Sequence, residues 1–267
     1  MKIPMYQVDA FTDKLFGGNP AAVCPLETWL DDATMQAVAE ENNLSETAFF
    51  VPKDGSFEIR WFTPKIEISL AGHPTLATAH VIYNHLGFTG PKIRFLSKSG
   101  ELRVEKKDGL LLMDFPAYEA APGEAPEALI RGLGKKPRQT LKGRDYLAVF
   151  DSEAEILDLN PDFVELGKLD CLGIIVTAKG DACDFVSRFF APRAGILEDP
   201  VTGSAHTLLI PYWAGRLKKN VLHAFQVSKR RGELFCEYLG NRVQIGGRAV
   251  TYMAGTIEVE PPARPLT

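Results

Sequence analysis

Residues 60–80 read RWFTPKIEISLAGHPTLATAH and residues 188–206 read RFFAPRAGILEDPVTGSAH, the second stretch being a shortened copy of the first. Arg60, Phe62 and Pro64 match Arg188, Phe190 and Pro192 at an offset of 128, and Pro74, Ala79 and His80 match Pro200, Ala205 and His206 at 126. A two-residue deletion between the prolines accounts for the change. Further on, FLSKSGELRVE from Phe95 corresponds to FQVSKRRGELFCE from Phe225. Two matches in the same order mark an internal repeat, so the 267 residues read as two copies of a unit of roughly 110–130 residues, an ordinary domain size. The first copy is placed at 1–116, with a central helix at about 74–86, and is joined by the C-terminal strand. The second is placed at 127–258, with a central helix at about 200–216. The Pro-, Ala- and Glu-rich stretch PAYEAAPGEAP, 116–126, separates them.

Both predicted central helices, PTLATAHVIYNHL and PVTGSAHTLLIPYWAG, are apolar or small nearly all round, so each must be covered on most sides. Around them, YQVDAF, PAAVCPL, 45–51 and 57–62 read as strands by their β-branched and aromatic content, 32–42 as an amphipathic helix, and 92–115 as a meander. In the second copy, strands near 145–150, 172–178 and 183–190 precede the helix, and a meander over 223–258 follows it. The expected fold is α+β, with two pseudo-symmetric domains, each a strongly curved, mostly antiparallel sheet wrapped around a central helix.

Composition narrows the function. Lys and Arg total 30 against 34 Asp and Glu, a net charge of −4, so no basic field is present to hold nucleic acid or an anionic membrane. Cys24, Cys171, Cys183 and Cys236 stand far apart without CxxC spacing, which argues against a zinc site or a disulfide scaffold. MKIPMYQVDAF lacks the apolar core of a signal peptide, and no window approaches 18 uninterrupted apolar residues. A cytoplasmic protein with neither membrane nor nucleic-acid partner is expected.

The chemistry gathers at the helix starts, Gly72-His73-Pro74-Thr75 and Glu198-Asp199-Pro200-Val201. Proline suits a first helical turn and Asp is a favoured N-cap, so these residues fit a purely structural role in which Asp199 caps its helix. They also fit a binding role. Two helix starts facing one cleft would present unpaired N–H groups and positive dipole ends to a small carboxylate. Gly72 and Gly203 would let it approach the backbone, and Thr202 and Ser204 could donate hydroxyl hydrogen bonds. His73 and Asp199 could transfer protons. Within NNLSETAFF, Glu46 is the odd residue: as an exposed strand residue it needs no explanation, but among aromatics its pKa would rise, as a general acid requires. No second-copy carboxylate matches it. His80 and His206 read as satisfied core histidines, Lys229-Arg230-Arg231 as a solvated turn, and no metal site is supported.

The ordered set GGNPAAV (17–23), NNLSETAFF (42–50), RWFTPKIEISLAGHPT (60–75), RFFAPRAGILEDPVTGSA (188–205) and SKRRGEL (228–234) resembles the phenazine-biosynthesis PhzF-like isomerase family over nearly the whole chain. The resemblance implies a diaminopimelate-epimerase-like fold with the active site between the domains, no metal or organic cofactor, and a homodimer. It implies that Glu46 moves a proton between carbons, as the family's characterised isomerase does on trans-2,3-dihydro-3-hydroxyanthranilate, with His73, Asp199 and Ser204 assisting. Asn19, Ser45, Gly72, Thr202 and Gly203 are then expected to line the substrate. Epimerases of the same fold place a cysteine beside each helix start; here AGHPT and EDPVTGSA contain none. The expectation is therefore a cofactor-independent isomerase performing a carboxylate-mediated proton shift on a small anionic carboxylate. The alternatives are an epimerase or racemase with Glu46 and Asp199 as opposed bases, and a non-catalytic small-molecule-binding protein.

Overall fold

The computed structural model describes residues 1–260. The chain forms two compact units, Met1–Met113 together with Gly247 onward, and Asp114–Gly246. In the first, β1 (Lys2–Ala10) and β2 (Asn19–Pro25) lead to α1 (Asp32–Asn42), and β3 (Glu46–Lys53), β4 (Ser56–Phe62) and the short β5 (Glu67–Ile68) lead to α2 (His73–Asn84). A meander of β6 (Lys92–Ser97), β7 (Gly100–Lys107) and β8 (Leu110–Pro116) follows. The pairs β1–β2, β3–β4, β6–β7 and β7–β8 are antiparallel, whereas β2–β3 and β4–β6 are parallel. Each parallel step needs a crossover, and α1 and α2 supply them.

The second unit starts with β9 (Ala121–Gly123), α3 (Glu127–Leu133), β10 (Gln139–Lys142) and β11 (Tyr146–Val149). After α4 (Glu153–Asp158) and α5 (Phe163–Leu166) come β12 (Ile174–Lys179), β13 (Phe185–Ala191), β14 (Ile196–Asp199) and α6 (Gly203–Leu217). It ends with β15 (Val221–Gln226), β16 (Gly232–Tyr238) and β17 (Arg242–Gly247). The pairing repeats that of the first unit: β11–β12 and β13–β15 are parallel, while β10–β11, β12–β13, β15–β16 and β16–β17 are antiparallel.

The last strand, β18 (Ala249–Glu258), does not extend the second meander. It runs antiparallel along the whole of β1, from Lys2 opposite Glu258 to Ala10 opposite Ala249. Its counterpart is β9, which lies antiparallel on β10. The C-terminal strand lies in the first unit, which it was expected to join, so the range 127–258 runs too far for the second unit, and that unit begins at Asp114 instead of 127. The physical reason is that the first strand of each copy needs an outer neighbour. In the second unit β9 provides it, and in the first β18 does.

Both central helices are covered almost all round. In α2, nine residues from His73 to Ile82 are buried, against β1, β2, β3 and β18; in α6, nine from Gly203 to Ala214 are buried, with β15 and β16 alongside. In the second unit Phe185 stacks in parallel on Trp213, ring centroids 5.8 Å apart, and the Trp213 indole donates to Thr177 Oγ1 at 3.0 Å. The apolar reading of the helices holds; their starts differ. α2 begins at His73, whereas α6 begins at Gly203, three residues after Pro200. The meander match also shifts by one residue: Phe57 pairs with Phe95 and Phe185 with Ala224, so Phe95 is equivalent to Ala224 and not Phe225. No helix among the described residues is long and apolar enough to cross a membrane.

Candidate active site

One cluster lies in the first unit, at the start of α2. Glu46 opens β3, next to Ala21 of β2, and its side chain is 12% exposed. Its Oε2 lies 3.1 Å from Nε2 of His73, whose side chain is 7% exposed. On the far side of the ring, Nδ1 lies 3.3 Å from Nδ2 of Asn19, a fully buried residue at the start of β2. Three sequence-distant residues thus meet because β2, β3 and α2 pack edge to face. The neighbour of Glu46 is therefore a histidine, not the aromatics expected from NNLSETAFF; Phe49 and Phe50 lie further along the strand. Nor does Glu46 sit on a polar strand face, since Thr47 to Phe50 are all buried.

Burial pushes the His73 ring down to about 3, with the Pro20 carbonyl as an opposing influence, so the ring is neutral at pH 7. The neutral ring and the Glu46 carboxyl group thus face each other across 3.1 Å, both nearly closed off from water.

A second cluster lies in the second unit, before α6. Asp199 ends β14, and its Oδ2 accepts from Thr202 Oγ1 at 2.5 Å. Asp199 is therefore not an N-cap. Thr202 occupies that position in extended backbone, and its side chain makes no cap bond. Pro200 gives a misleading helix signal because its fixed φ also suits the bend that follows β14. Ser204 is exposed on the first turn and Gly203 is buried. In the first unit Gly72, half-buried, precedes His73, and Ser45, half-buried, precedes Glu46.

Both central helices, like α3, lack a side-chain cap. Asp31, Ser152 and Asp162, by contrast, cap α1, α4 and α5 by accepting from first-turn N–H groups. The first-turn donors of α2 and α6 are left to the backbone and to whatever approaches them.

The sequence reading missed the supports. Arg60 of β4 forks onto Glu67 of β5, two contacts of 2.8 Å, and Arg188 of β13 forks onto Glu198 of β14 at 2.8 and 3.0 Å. Each fork ties down the strand that leads to a central helix. Arg60, with Lys98, holds the Glu67 carboxyl down at about 2. The repeated Arg60 and Arg188 were visible in the sequence, but their partners sit at different spacings in the two copies.

The buried histidines make stability depend on pH. His206 is fully buried, donates from Nδ1 to the Thr202 carbonyl at 2.8 Å, and is pushed down to about 4 by burial. Below about 6.5 the unfolded chain takes up a proton that folded His206 refuses, so this contribution is complete above 6.5 and is lost as pH falls towards 4. Urea titrations of wild type and His206→Gln should run parallel above pH 6.5. Between 6.5 and 4 the wild type should lose stability faster, by up to about 1.4 kcal/mol per pH unit; parallel curves throughout would contradict it.

Burial holds the thiols in their protonated form, Cys171 included. Burial pushes Cys24 up to about 12 and Cys183 up to about 11, and raises Cys236 as well. Iodoacetamide at neutral pH should leave activity unchanged, and inactivation would implicate a cysteine.

A family model described as phenazine biosynthesis-like protein matches residues 8–255. An uncharacterised isomerase of Pseudomonas aeruginosa is 52% identical, covering 97% of this chain and all of its own. A crystal structure of a PhzF-family protein from Enterococcus faecalis superposes with a TM-score of 0.95 at 47% identity, over 97% of this chain and all of the other. At 10% identity, a probable proline racemase from Agrobacterium radiobacter still superposes with a TM-score of 0.66, over 98% of this chain and 94% of its own. That likeness concerns fold alone, and it is the diaminopimelate-epimerase-like fold that the family resemblance implies. With relatives named as isomerases matching from end to end, the chain belongs to the phenazine-biosynthesis-like PhzF family of isomerases.

Proposed function

We propose that this isomerase works without a cofactor, shifting a proton between carbons of a small carboxylate-bearing metabolite with Glu46 as the acid/base. The observation that carries this reading is the 3.1 Å contact between Glu46 and His73, both nearly closed off from water. His73 stays neutral and, 3.1 Å away, holds the carboxyl in place between transfers. A carboxyl group is monoprotic, so it can take a proton from one carbon and return it to another.

Asp199 is the second proton-handling group in this proposal, with the Thr202 hydroxyl donating to it. Gly72 at the start of α2, and Gly203 and Ser204 at the start of α6, are the carboxylate-binding groups that this proposal assigns within each unit, both starts lacking a side-chain cap. Asn19 and Ser45 complete the lining around His73 and Glu46. The raised thiols speak against two-cysteine stereoinversion, which needs thiolates near neutral pH.

Small cyclic and acyclic unsaturated carboxylates, trans-2,3-dihydro-3-hydroxyanthranilate among them, should be incubated with the purified protein without added cofactor and followed by proton NMR. The proposal expects double-bond migration in at least one compound and loss of that activity in Asp199→Asn. Inversion at a stereocentre with the double bonds unmoved would replace it with an epimerase.

A further inference from the structure

The Asp199 cluster depends on a side chain that lies outside both helix-start motifs. Gln226, the last residue of β15, is fully buried, and its amide makes three contacts. Its Oε1 accepts from the Thr202 N–H at 2.8 Å, and its Nε2 donates to the Asp199 carbonyl at 2.7 Å and to Thr202 Oγ1 at 3.2 Å. These partners fix the orientation of the amide. Turned over, its NH2 would face an N–H and its oxygen a carbonyl. They also fix the direction of the Thr202 hydroxyl. Because Oγ1 accepts from Gln226, its own hydrogen is directed to Oδ2 of Asp199, 2.5 Å away.

The turn that carries Gln226 clasps the same segment elsewhere. The Ser228 hydroxyl donates to the Pro200 carbonyl at 2.8 Å, and Gly232 lies so close that a Cβ there would meet Val201 at 2.2 Å. The first unit lacks this device. Strand pairing makes Ser97 the equivalent of Gln226, and the Ser97 hydroxyl donates to Gly100 within its own hairpin, 2.8 Å away. That turn has two residues, 98–99, where the second unit has five, 227–231. The longer turn and the amide occur in the copy that carries Asp199.

We propose that Gln226 is the positioning residue of the Asp199 carboxylate, acting through the Thr202 hydroxyl. The inference rests on the proposed role of Asp199, but its geometry belongs to the second unit alone. Donation from Thr202 favours the ionised carboxylate and holds its plane; removing Gln226 leaves the hydroxyl undirected and the buried Thr202 N–H without its acceptor.

The test uses full-length protein with 13C-carboxyl-labelled aspartate, the Asp199 resonance being assigned by its loss in Asp199→Asn. In Gln226→Leu the Asp199 titration midpoint should move up. In any assay that wild type performs, kcat should fall on the order of tenfold to a hundredfold with KM little changed. Thr202→Ser should keep both properties and Thr202→Val should lose both. A wild-type midpoint in Gln226→Leu overturns the proposal; should that variant not fold, a wild-type midpoint in Thr202→Val does the same. The NMR titration needs no substrate, so a failure of the proposed reaction remains distinguishable from a failure of the positioning role.

Discussion

Replacing Glu46 by glutamine should lower turnover on the order of 10²–10⁴-fold, the usual contribution of a positioned general acid/base. The amide keeps the shape of the carboxyl and can still meet His73, but it is neither acidic enough to deliver a proton nor basic enough to take one. Substrate binding should therefore persist and the loss should fall on kcat. Stability should hold or rise, because a polar pair inside the protein is exchanged for a neutral amide beside a neutral ring. Glu46→Asp would retain the acid but withdraw it from His73 by about one methylene, and should recover only part of the rate. A fall in stability of several kcal/mol in Glu46→Gln would instead assign the residue a structural role.

The second large effect is on stability. Arg188→Met should destabilise the protein by about 3–5 kcal/mol in urea unfolding, the range for breaking a mostly buried charge pair from one side. The guanidinium is 12% exposed and makes four contacts: two to Glu198, and two from Nη1 to the carbonyls of Ile156 and Leu159, at 3.0 and 2.8 Å. Those carbonyls lie at the C-terminal end of α4, which ends in extended backbone at Leu159. Methionine fills much of the volume, so the expected loss is electrostatic and hydrogen-bonded in origin. It would leave Glu198 unpaired next to Asp199, and activity should fall as well. Arg188→Lys should recover little, because an ammonium cannot make the fork. A loss below about 1 kcal/mol would put this pair among ordinary surface ion pairs.

Much of this was legible in the sequence because it is repetitive or local. The match of 60–80 with 188–206 reports two copies of one folding unit, and the apolar circumference of each central helix reports its burial. Glu46 and His73 stood out as chemically odd residues in otherwise apolar or small surroundings. The rest depends on partners that sequence spacing does not reveal. That the C-terminal strand joins the first copy was expected, but its register along β1, at the other end of the chain, is set across strands. α6 starts only at Gly203, the Gln226 amide taking the Thr202 N–H just ahead of it, so Pro200, in the bend before that cap, gives a false helix signal. The forks of Arg60 and Arg188 and the amides of Asn19 and Gln226 also act across strands.

The most direct measurement of the central claim follows a converted substrate in deuterated water with wild type and Glu46→Gln side by side. The account predicts deuterium at the reacting carbon with wild type, and none with Glu46→Gln while that variant still binds the compound. Incorporation at the wild-type rate in Glu46→Gln would contradict it.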